Sequence, residues 1–242
     1  MIPARPSKLL KRWFGGVVEG RVKKTFAAMC IRGLSHVREA TGRAPLLFVS
    51  NHTSWWDPMF CIYLSTRLAP LDGYALMDAR NLRKLAFLAR LGGFGVELDD
   101  PEDRSIGLRY AAERLSGPGR GVWVFAQGRE RPVTERPLAF KPGSAVVASR
   151  APSALVVPVA LRYEFRHLEK PFFYVSIGEP FAPDAEVEVG QRRHEEAVET
   201  ELARIDAHLR DPDSEPGFET LLRQRRSWIG RMLERMLGWM TR

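Results

Sequence analysis

The stretch Asn51-His52-Thr53-Ser54-Trp55-Trp56-Asp57-Pro58 follows the apolar run Pro45-Leu46-Leu47-Phe48-Val49 and precedes a second apolar run that begins at Met59. The first run predicts a buried strand, and Asp57-Pro58 predicts the start of a helix. His52 is therefore expected at a strand-to-helix turn. In open α/β sheets, such turns lie where the carboxyl ends of the strands open into a crevice that can hold a ligand.

His52 and Asp57, with four residues between them, could act together as a general base. An imidazole accepts a proton near neutral pH, since its unperturbed pKa is about 6.5. A carboxylate bonded to one ring nitrogen holds the tautomer and stabilises the imidazolium, which leaves the other nitrogen free for a substrate proton. The alternative is that Asp57 only caps a helix that begins near Pro58, and that His52 is a hydrogen-bonded surface residue. Spacing alone leaves both interpretations open.

Hydrophobic periodicity along the chain predicts alternating strands and helices. Strands are predicted at 45–50, 73–77, 94–98, 121–126, 154–161 and 172–178, and helices at 8–39 with a break near Gly15-Gly16, 58–66, 80–91, 104–116, 143–150 and 191–209. A chain of 242 residues with 45% hydrophobic content can bury one sizeable core. The predicted fold is a single α/β domain with a mixed, mostly parallel sheet flanked by helices, and with amphipathic helical segments at both ends.

Three later blocks follow the histidine block in order. They are Phe125-Ala126-Gln127-Gly128-Arg129-Glu130 after the apolar Val122-Trp123-Val124, then Lys141-Pro142-Gly143-Ser144-Ala145, then Leu155-Val156-Val157-Pro158-Val159-Ala160. Together with Asn51-His52 and Asp57, they resemble the phospholipid/glycerol acyltransferase family, the lysophosphatidic acid acyltransferase-like enzymes. The resemblance covers residues 40–182, which is most of the chain.

The resemblance implies direct transfer of a fatty acyl group from a thioester, acyl-CoA or acyl-ACP, to a hydroxyl of a lipid acceptor in membrane lipid biosynthesis. It implies no covalent acyl-enzyme, no further cofactor and no metal. His52 would deprotonate the hydroxyl, and Asp57 would orient His52. Substrate-binding roles are carried over to the matching positions and their neighbours: Asn51, Phe125, Gln127, Gly128, Arg129 and Arg131. Backbone amides near Gly128 are candidate oxyanion donors, although Gly128 could equally be a simple turn glycine.

The chain departs from the family pattern at three positions. Gln127 replaces a glutamate, Glu130 stands at the place of a phosphate-binding arginine, and Leu98 stands at the place of a second one. Arginine suits phosphate because its guanidinium binds phosphate oxygens in bidentate fashion. Arg129 or Arg131 could substitute after a one-residue shift. Otherwise, the acceptor would lack a phosphate, as in a glycosylated carotenoid or another glycolipid, or the protein would be a degenerate acyltransferase that only binds lipid.

The net charge of +8 is concentrated at the two ends of the chain. Residues 1–34 contain eight Lys or Arg and one Glu, and residues 221–242 contain six Arg and one Glu, so the intervening part is net negative. Both ends are also amphipathic. We therefore predict a basic helical segment at 1–39, a catalytic domain at 40–210 and a basic amphipathic helix at 211–242. Such helices suit anionic membrane surfaces, although packing on the protein's own sheet or on a second subunit is the alternative.

No run of 18 apolar residues is present, which argues against a spanning helix and favours a peripheral protein on the cytoplasmic face of the membrane. A pI of 9.9 attracts polyanions. However, the basic residues form no continuous stripe with interleaved aromatic residues, so nucleic acid is not an expected partner. A serine hydrolase would use Ser54 or Ser144, but neither lies in a Gly-x-Ser-x-Gly elbow. A nucleophilic role for Cys61 is not required by the direct mechanism.

Overall fold

One eight-stranded sheet organises the protein, of which a computed structural model describes residues 1–223. The strands are β1 Ala28–Arg32, β2 Leu46–Ser50, β3 Asp72–Asp78, β4 Gly93–Val96, β5 Arg120–Phe125, β6 Leu155–Glu164, β7 Phe172–Ile177 and β8 Glu219–Arg223. Their order in the sheet is β4-β3-β5-β2-β6-β7-β1-β8. Neighbouring strands pair in parallel, except for the antiparallel pairs β6–β7 and β1–β8.

Helices cover both faces of this sheet. They are α1 Lys8–Thr25, α2 Leu34–Thr41, α3 Trp56–Tyr63, α4 Ala79–Lys84, α5 Pro101–Arg114, α6 Gly143–Arg150 and α7 Val187–Arg210, with a π-helical turn Leu64–Leu68 and a 3₁₀ segment Ala86–Leu91. In β2, Leu47 and Val49 pack with α5, α6 and α7, whereas Leu46 and Phe48 pack with α1, α2 and α3. This alternation follows from the two-residue period of a strand. The predicted α/β fold with a mixed, mostly parallel sheet is confirmed.

The central strand β2 positions the histidine block. All five of its residues are buried, and it pairs in parallel with β5 and β6, so that Ser50 lies opposite Phe125 on one side and Val159 on the other. Because parallel strands end at the same edge of a sheet, the loops that follow Ser50 and Phe125 meet there. On the other side of β2, strand β6 continues beyond Val159 to Glu164, alongside the loop that follows Ser50.

The prediction of a helix over 8–39 with a break near Gly15-Gly16 was wrong, because α1 continues unbroken through both glycines and the helical segment is interrupted later. Helix α1 ends at Thr25, the strand β1 follows, and α2 begins at Leu34. The short run Ala28–Arg32 lies between β7 and β8 with its first four residues buried. A strand buried on both faces shows an unbroken apolar run, which periodicity alone cannot distinguish from a buried helix.

Several predicted boundaries also need correction. The helix predicted at 80–91 is divided into α4 and the 3₁₀ segment, and the helix predicted at 104–116 begins earlier, at Pro101, where the Asp100 side chain caps it. Strand β6 continues to Glu164, three residues beyond its predicted end. In the tail predicted as a helix over 211–242, residues 219–223 form β8, and residues 224–242 lie outside the described part of the chain.

Candidate active site

His52 and Asp57 are in direct contact at the carboxyl end of β2. The Nδ1 atom of His52 lies 2.7 Å from Oδ2 of Asp57. Asp57 is completely buried, whereas 20% of the His52 side chain is exposed. Within residues 1–223, no group bonds the other ring nitrogen, Nε2. A carboxylate-bound imidazole with one free, accessible nitrogen is the arrangement that a general base requires.

Asp57 accepts three further hydrogen bonds. Its Oδ2 atom also accepts from the backbone N–H groups of Thr53 and Ser54, at 2.7 and 3.0 Å, and its Oδ1 atom accepts from the hydroxyl of Tyr163 at 2.7 Å. Burying a carboxylate is costly unless its oxygens are fully bonded. The four donors, His52 included, offset that cost and fix the carboxylate. The histidine loop therefore wraps around Asp57, which lies in the first turn of α3 and bonds N–H groups of the loop instead of capping the helix.

Tyr163 is a site residue that sequence reasoning missed. It lies in the last part of β6, beyond the predicted end of that strand, and 106 residues from Asp57 in sequence. Its ring stacks on Phe173 at 4.6 Å between centroids and on Phe26 at 5.7 Å. Desolvation raises the pKa of the Tyr163 phenol well above its usual range, and the charge of Asp57 raises it further. The phenol therefore stays protonated and donates to Asp57.

Gln127 binds the histidine loop from the end of β5. It is 1% exposed, its Oε1 atom accepts the backbone N–H of His52 at 2.7 Å, and its Nε2 atom donates to the carbonyl of Leu138 at 3.2 Å. The loop is also held by a backbone bond from Arg131 N–H to the His52 carbonyl at 2.8 Å. The Gln127 side chain is thus fully engaged with backbone, which favours a positioning role over contact with substrate.

Asn51 is likewise buried and engaged with backbone. It is 1% exposed, and its side-chain amide both donates to the carbonyl of Leu161 and accepts from its N–H, each at 2.9 Å. These bonds extend the β2–β6 ladder by one step past Ser50. Asn51 therefore fixes the start of the histidine loop against β6, and its burial leaves no side-chain atom free for a substrate.

Aromatic side chains lie in the histidine loop and on the neighbouring strand. The ring of Phe125 stacks on that of His52 with 4.6 Å between centroids. Trp56 packs edge-on against Phe26 at 5.0 Å and against Trp55 at 5.4 Å, and Trp55 is 57% exposed. The His52 ring therefore has an aromatic neighbour, and two tryptophans belong to the same loop and helix start, surroundings that suit an acyl chain or another hydrophobic substrate part.

Gly128 forms a tight turn beside the site. Its φ of +71° is in the left-handed region, and its N–H donates to the carbonyl of Phe125 at 3.0 Å. A Cβ atom at this position would lie 3.2 Å from the side chain of Lys141. The turn interpretation accounts for the glycine, because a φ in the left-handed region strains any residue with a Cβ atom. The Gly128 N–H is already bonded within the turn.

The charged residues expected near an acceptor phosphate differ in exposure and in ion pairing. Arg129 and Glu130 are exposed. Arg131 is largely buried and forms an ion pair with Glu135. At the other expected position, the carbonyl of Leu98 accepts a hydrogen bond from the side chain of Arg104 at 2.6 Å. The structure thus brings His52, Asp57, Asn51, Phe125 and Gln127 together, while Arg129 and Arg131 remain flanking residues.

Other candidate nucleophiles are in unsuitable surroundings. Ser144 is fully buried, 3.0 Å from Nδ1 of the equally buried His194. The hydroxyl of Ser54 accepts the backbone N–H of Trp56 at 3.2 Å. The buried Cys61 thiol donates to the carbonyl of Asp57 at 3.3 Å, and burial raises the pKa of that thiol well above its usual range. A neutral, buried thiol is a poor nucleophile.

Between residues 1 and 223, no group of His, Cys, Asp and Glu side chains has the arrangement of a metal site. None of the helices in that part of the chain combines the length and the apolar character that crossing a membrane demands.

The sequence was compared with known proteins and protein families. A comparison with curated proteins found no match. The sequence profile of the acyltransferase family matches residues 28–162, more than half of the chain. The matched region spans β1 to β6 and includes both residues of the dyad, the Asn51 anchor and Gln127. The chain therefore belongs to the acyltransferase family, as its resemblance to the phospholipid/glycerol acyltransferases predicted.

Proposed function

We propose that the protein transfers a fatty acyl group from an acyl thioester, acyl-CoA or acyl-ACP, to a hydroxyl of a lipid acceptor in membrane lipid biosynthesis. The observation that carries this proposal is the 2.7 Å contact between His52 Nδ1 and the buried carboxylate of Asp57, which leaves Nε2 unbonded within the described residues. Membership of the acyltransferase family supports acyl transfer in general.

The proposed reaction is a single displacement. Nε2 of His52 takes the proton of the acceptor hydroxyl, and the oxygen attacks the thioester carbonyl to form a tetrahedral intermediate. The C–S bond then breaks, and the leaving thiolate receives the proton from the imidazolium. Asp57 keeps Nδ1 protonated and stabilises the imidazolium charge. No covalent acyl-enzyme is needed, in keeping with the burial of Cys61 and Ser144.

The Phe125 ring stacked on His52 supports a hydrophobic substrate, and the charged residues nearby bear on the acceptor headgroup. The pairing of Arg131 with Glu135 and the presence of Glu130 favour an acceptor without phosphate, such as a glycolipid or a glycosylated carotenoid. The exposed Arg129, which forms no ion pair with any described residue, favours a phosphorylated acceptor such as lysophosphatidate. The acceptor group is therefore a lipid hydroxyl, and an assay with lysophosphatidate and a neutral glycolipid distinguishes the two acceptor classes.

The surface of α1 supports docking on a membrane. Leu9, Trp13 and Val17 lie one turn apart, and they are 84%, 64% and 39% exposed. With Arg12 and Arg67, they line a shallow open groove. Leu9, Trp13 and Val17 therefore form an outward apolar stripe on α1, whereas Val18 and Val22 are buried. An exposed apolar stripe beside arginines suits anionic lipid headgroups.

The test is thiol release from palmitoyl-CoA and from palmitoyl-ACP by purified protein in detergent. Each donor is combined with lysophosphatidate, another lysolipid or a neutral glycolipid, and the product lipid is identified by mass spectrometry. Transfer should require one acceptor class and should be lost in His52→Ala. The matched control is His167→Ala, which removes an exposed histidine from the loop after β6.

The outcomes separate the candidate functions. Preference for lysophosphatidate would assign a phosphorylated acceptor, and preference for the glycolipid would assign the alternative. Transfer that persists in His52→Ala would reject the dyad mechanism. If neither donor reacts with any acceptor while the protein still binds the lipids, a degenerate lipid-binding protein is the better description.

A further inference from the structure

Tyr163 contacts the dyad from a different part of the fold than the histidine loop. Its hydroxyl donates to Oδ1 of Asp57 at 2.7 Å, whereas His52 bonds Oδ2 of the same carboxylate at 2.7 Å. The tyrosine and the histidine therefore share one buried anion through its two oxygens. A stronger hydrogen bond from one of them therefore weakens the carboxylate as an acceptor for the other.

The position of Tyr163 is fixed by the sheet and by aromatic packing. Its ring is parallel to that of Phe173 within 15° and stacks on that of Phe26 within 27°. Two residues earlier in β6, the backbone of Leu161 holds Asn51, which starts the histidine loop. The same strand thus anchors the histidine loop and carries the tyrosine that bonds Asp57.

The titratable groups that face Asp57 are few among the described residues. They are His52 in the loop after β2, Tyr163 at the end of β6, and Cys61, one turn along α3. Burial raises the pKa of Cys61 and of Tyr163, so both are neutral donors at physiological pH. Arg131, whose backbone bonds the His52 carbonyl, has its own charge paired with Glu135. Among the described residues, the main electrostatic interaction of the Asp57 carboxylate is therefore with His52.

We propose that Tyr163 is a positioning residue of the dyad, whose hydroxyl holds Asp57 in place and weakens the pull of its carboxylate on a proton at His52. The physical reason is that a carboxylate that accepts one hydrogen bond more is a weaker base. The hydroxyl thereby keeps the carboxylate oriented towards Nδ1 of His52, while Nε2 is left to accept the proton of a substrate. The catalytic part of this proposal rests on the proposed acyl transfer, whereas its electrostatic part does not.

The test is Tyr163→Phe, which removes only the hydroxyl and keeps the stacked ring. We expect the titration midpoint of His52, followed by the ¹⁵N and ¹H shifts of its ring in NMR, to move to higher pH by about half a unit to one unit. The His52 signals are assigned by their absence in His52→Gln. The acid limb of the pH profile of kcat/KM should move in the same direction.

The matched control is Tyr174→Phe. Tyr174 is a buried tyrosine in the neighbouring strand β7, and its hydroxyl bonds the Arg166 side chain at 3.0 Å. Its removal should leave the His52 titration unchanged. A purely structural role for Tyr163 would lower the stability of Tyr163→Phe without moving its His52 midpoint, which would then equal that of Tyr174→Phe. That result would overturn the proposal.

A second measurement keeps the proposal testable if Tyr163→Phe does not fold. Replacement of Tyr163 by 3-fluorotyrosine retains the hydroxyl and makes it a stronger donor, so the His52 midpoint should move to lower pH. An unchanged midpoint, or movement to higher pH, would contradict the proposal. Since the NMR titration needs no substrate, its result is independent of whether acyl transfer is found. A shifted midpoint without any transfer would reject the proposed function alone.

Discussion

Gln127 bonds the backbone of His52 and of Leu138 with opposite ends of its side-chain amide. The Oε1 atom accepts the His52 N–H at 2.7 Å, and the Nε2 atom donates to the Leu138 carbonyl at 3.2 Å. A glutamate, the residue of the family pattern, could make the first bond, but its ionised form has no donor for the second. The glutamine is therefore matched to the local backbone of this chain.

Gln127→Glu should accordingly destabilise the protein. An ionised carboxylate would face the Leu138 carbonyl, and we expect the free energy of unfolding at pH 7.5 to fall by about 1–3 kcal/mol. Urea unfolding measures this loss, which should shrink at pH 5 as the carboxyl becomes protonated and regains a donor. The control is Gln191→Glu, which faces the Phe140 carbonyl in the same way but lies away from His52. It should cost stability and leave activity unchanged; a Gln127→Glu protein as stable as the parent would contradict the prediction.

Asn51 links the histidine loop to β6, and its removal should be costly. Asn51→Ala leaves both the N–H and the carbonyl of Leu161 without their 2.9 Å partners in a buried environment. We expect a loss of about 2–4 kcal/mol in urea unfolding, and reduced acyl transfer, because the loop would no longer be fixed. Asn81→Ala, at an exposed position of α4, should change stability by less than about 0.5 kcal/mol. Equal effects of the two substitutions would show that the Asn51 bonds matter little.

Cys61→Ala tests whether the reaction passes through an acyl-enzyme. The thiol is buried and neutral, bonded to the Asp57 carbonyl, so the single-displacement mechanism predicts a kcat within about threefold of the parent. Intact-protein mass spectrometry after incubation with palmitoyl-CoA should show no acyl adduct in either protein. An adduct in the parent that is missing from Cys61→Ala would replace the proposed mechanism with a covalent one. The conservative control is Cys30→Ala, at the other buried cysteine.

The sequence predicted the parts of the site that lie close together in the chain. The strand at 45–50 and the helix at 143–150 were found where the structure has β2 and α6. The contact of His52 with Asp57 could be inferred because only four residues separate them, which limits the distance between their side chains. The block around Gln127 could be placed at the same sheet edge, since parallel strands end together.

Two other features could not be predicted, for different reasons. Strand β1 is a short apolar run that is buried on both faces, and nothing in its pattern separates it from the preceding helix. Tyr163 reaches Asp57 only because β6 continues through Arg162 and Glu164, past the predicted end of the strand at residue 161. A contact over 106 residues depends on the register of the sheet, which hydrophobic patterns do not specify.

His194 should make the protein sensitive to acid. Its fully buried ring lies 3.0 Å from the Ser144 hydroxyl, and burial lowers its pKa to about 4, with Asp184 raising and Arg193 lowering it by smaller amounts. In the unfolded chain, the pKa returns to about 6.5, so protonation favours unfolding, and stability falls as the pH drops below 6.5 towards 4. The full loss is about 3 kcal/mol. Urea unfolding between pH 7.5 and 4 should show this decline in the parent and a smaller one in His194→Gln; identical declines would contradict the prediction.

The exposed stripe on α1 should contribute to binding of anionic membranes. In the double variant Leu9→Ala, Trp13→Ala, two side chains that are 84% and 64% exposed can no longer enter the headgroup region. Burying a large apolar side chain is worth about 1.5–3 kcal/mol, so partitioning onto phosphatidylglycerol-containing vesicles should weaken by about tenfold or more in co-sedimentation. The matched control is Phe165→Ala, which removes a 72% exposed ring from the loop after β6. Binding of the parent should also fall as salt is raised, because arginines beside the stripe meet charged headgroups. Unchanged partitioning of the double variant, together with a loss of dimer in analytical ultracentrifugation, would instead assign the stripe to a second copy of the chain.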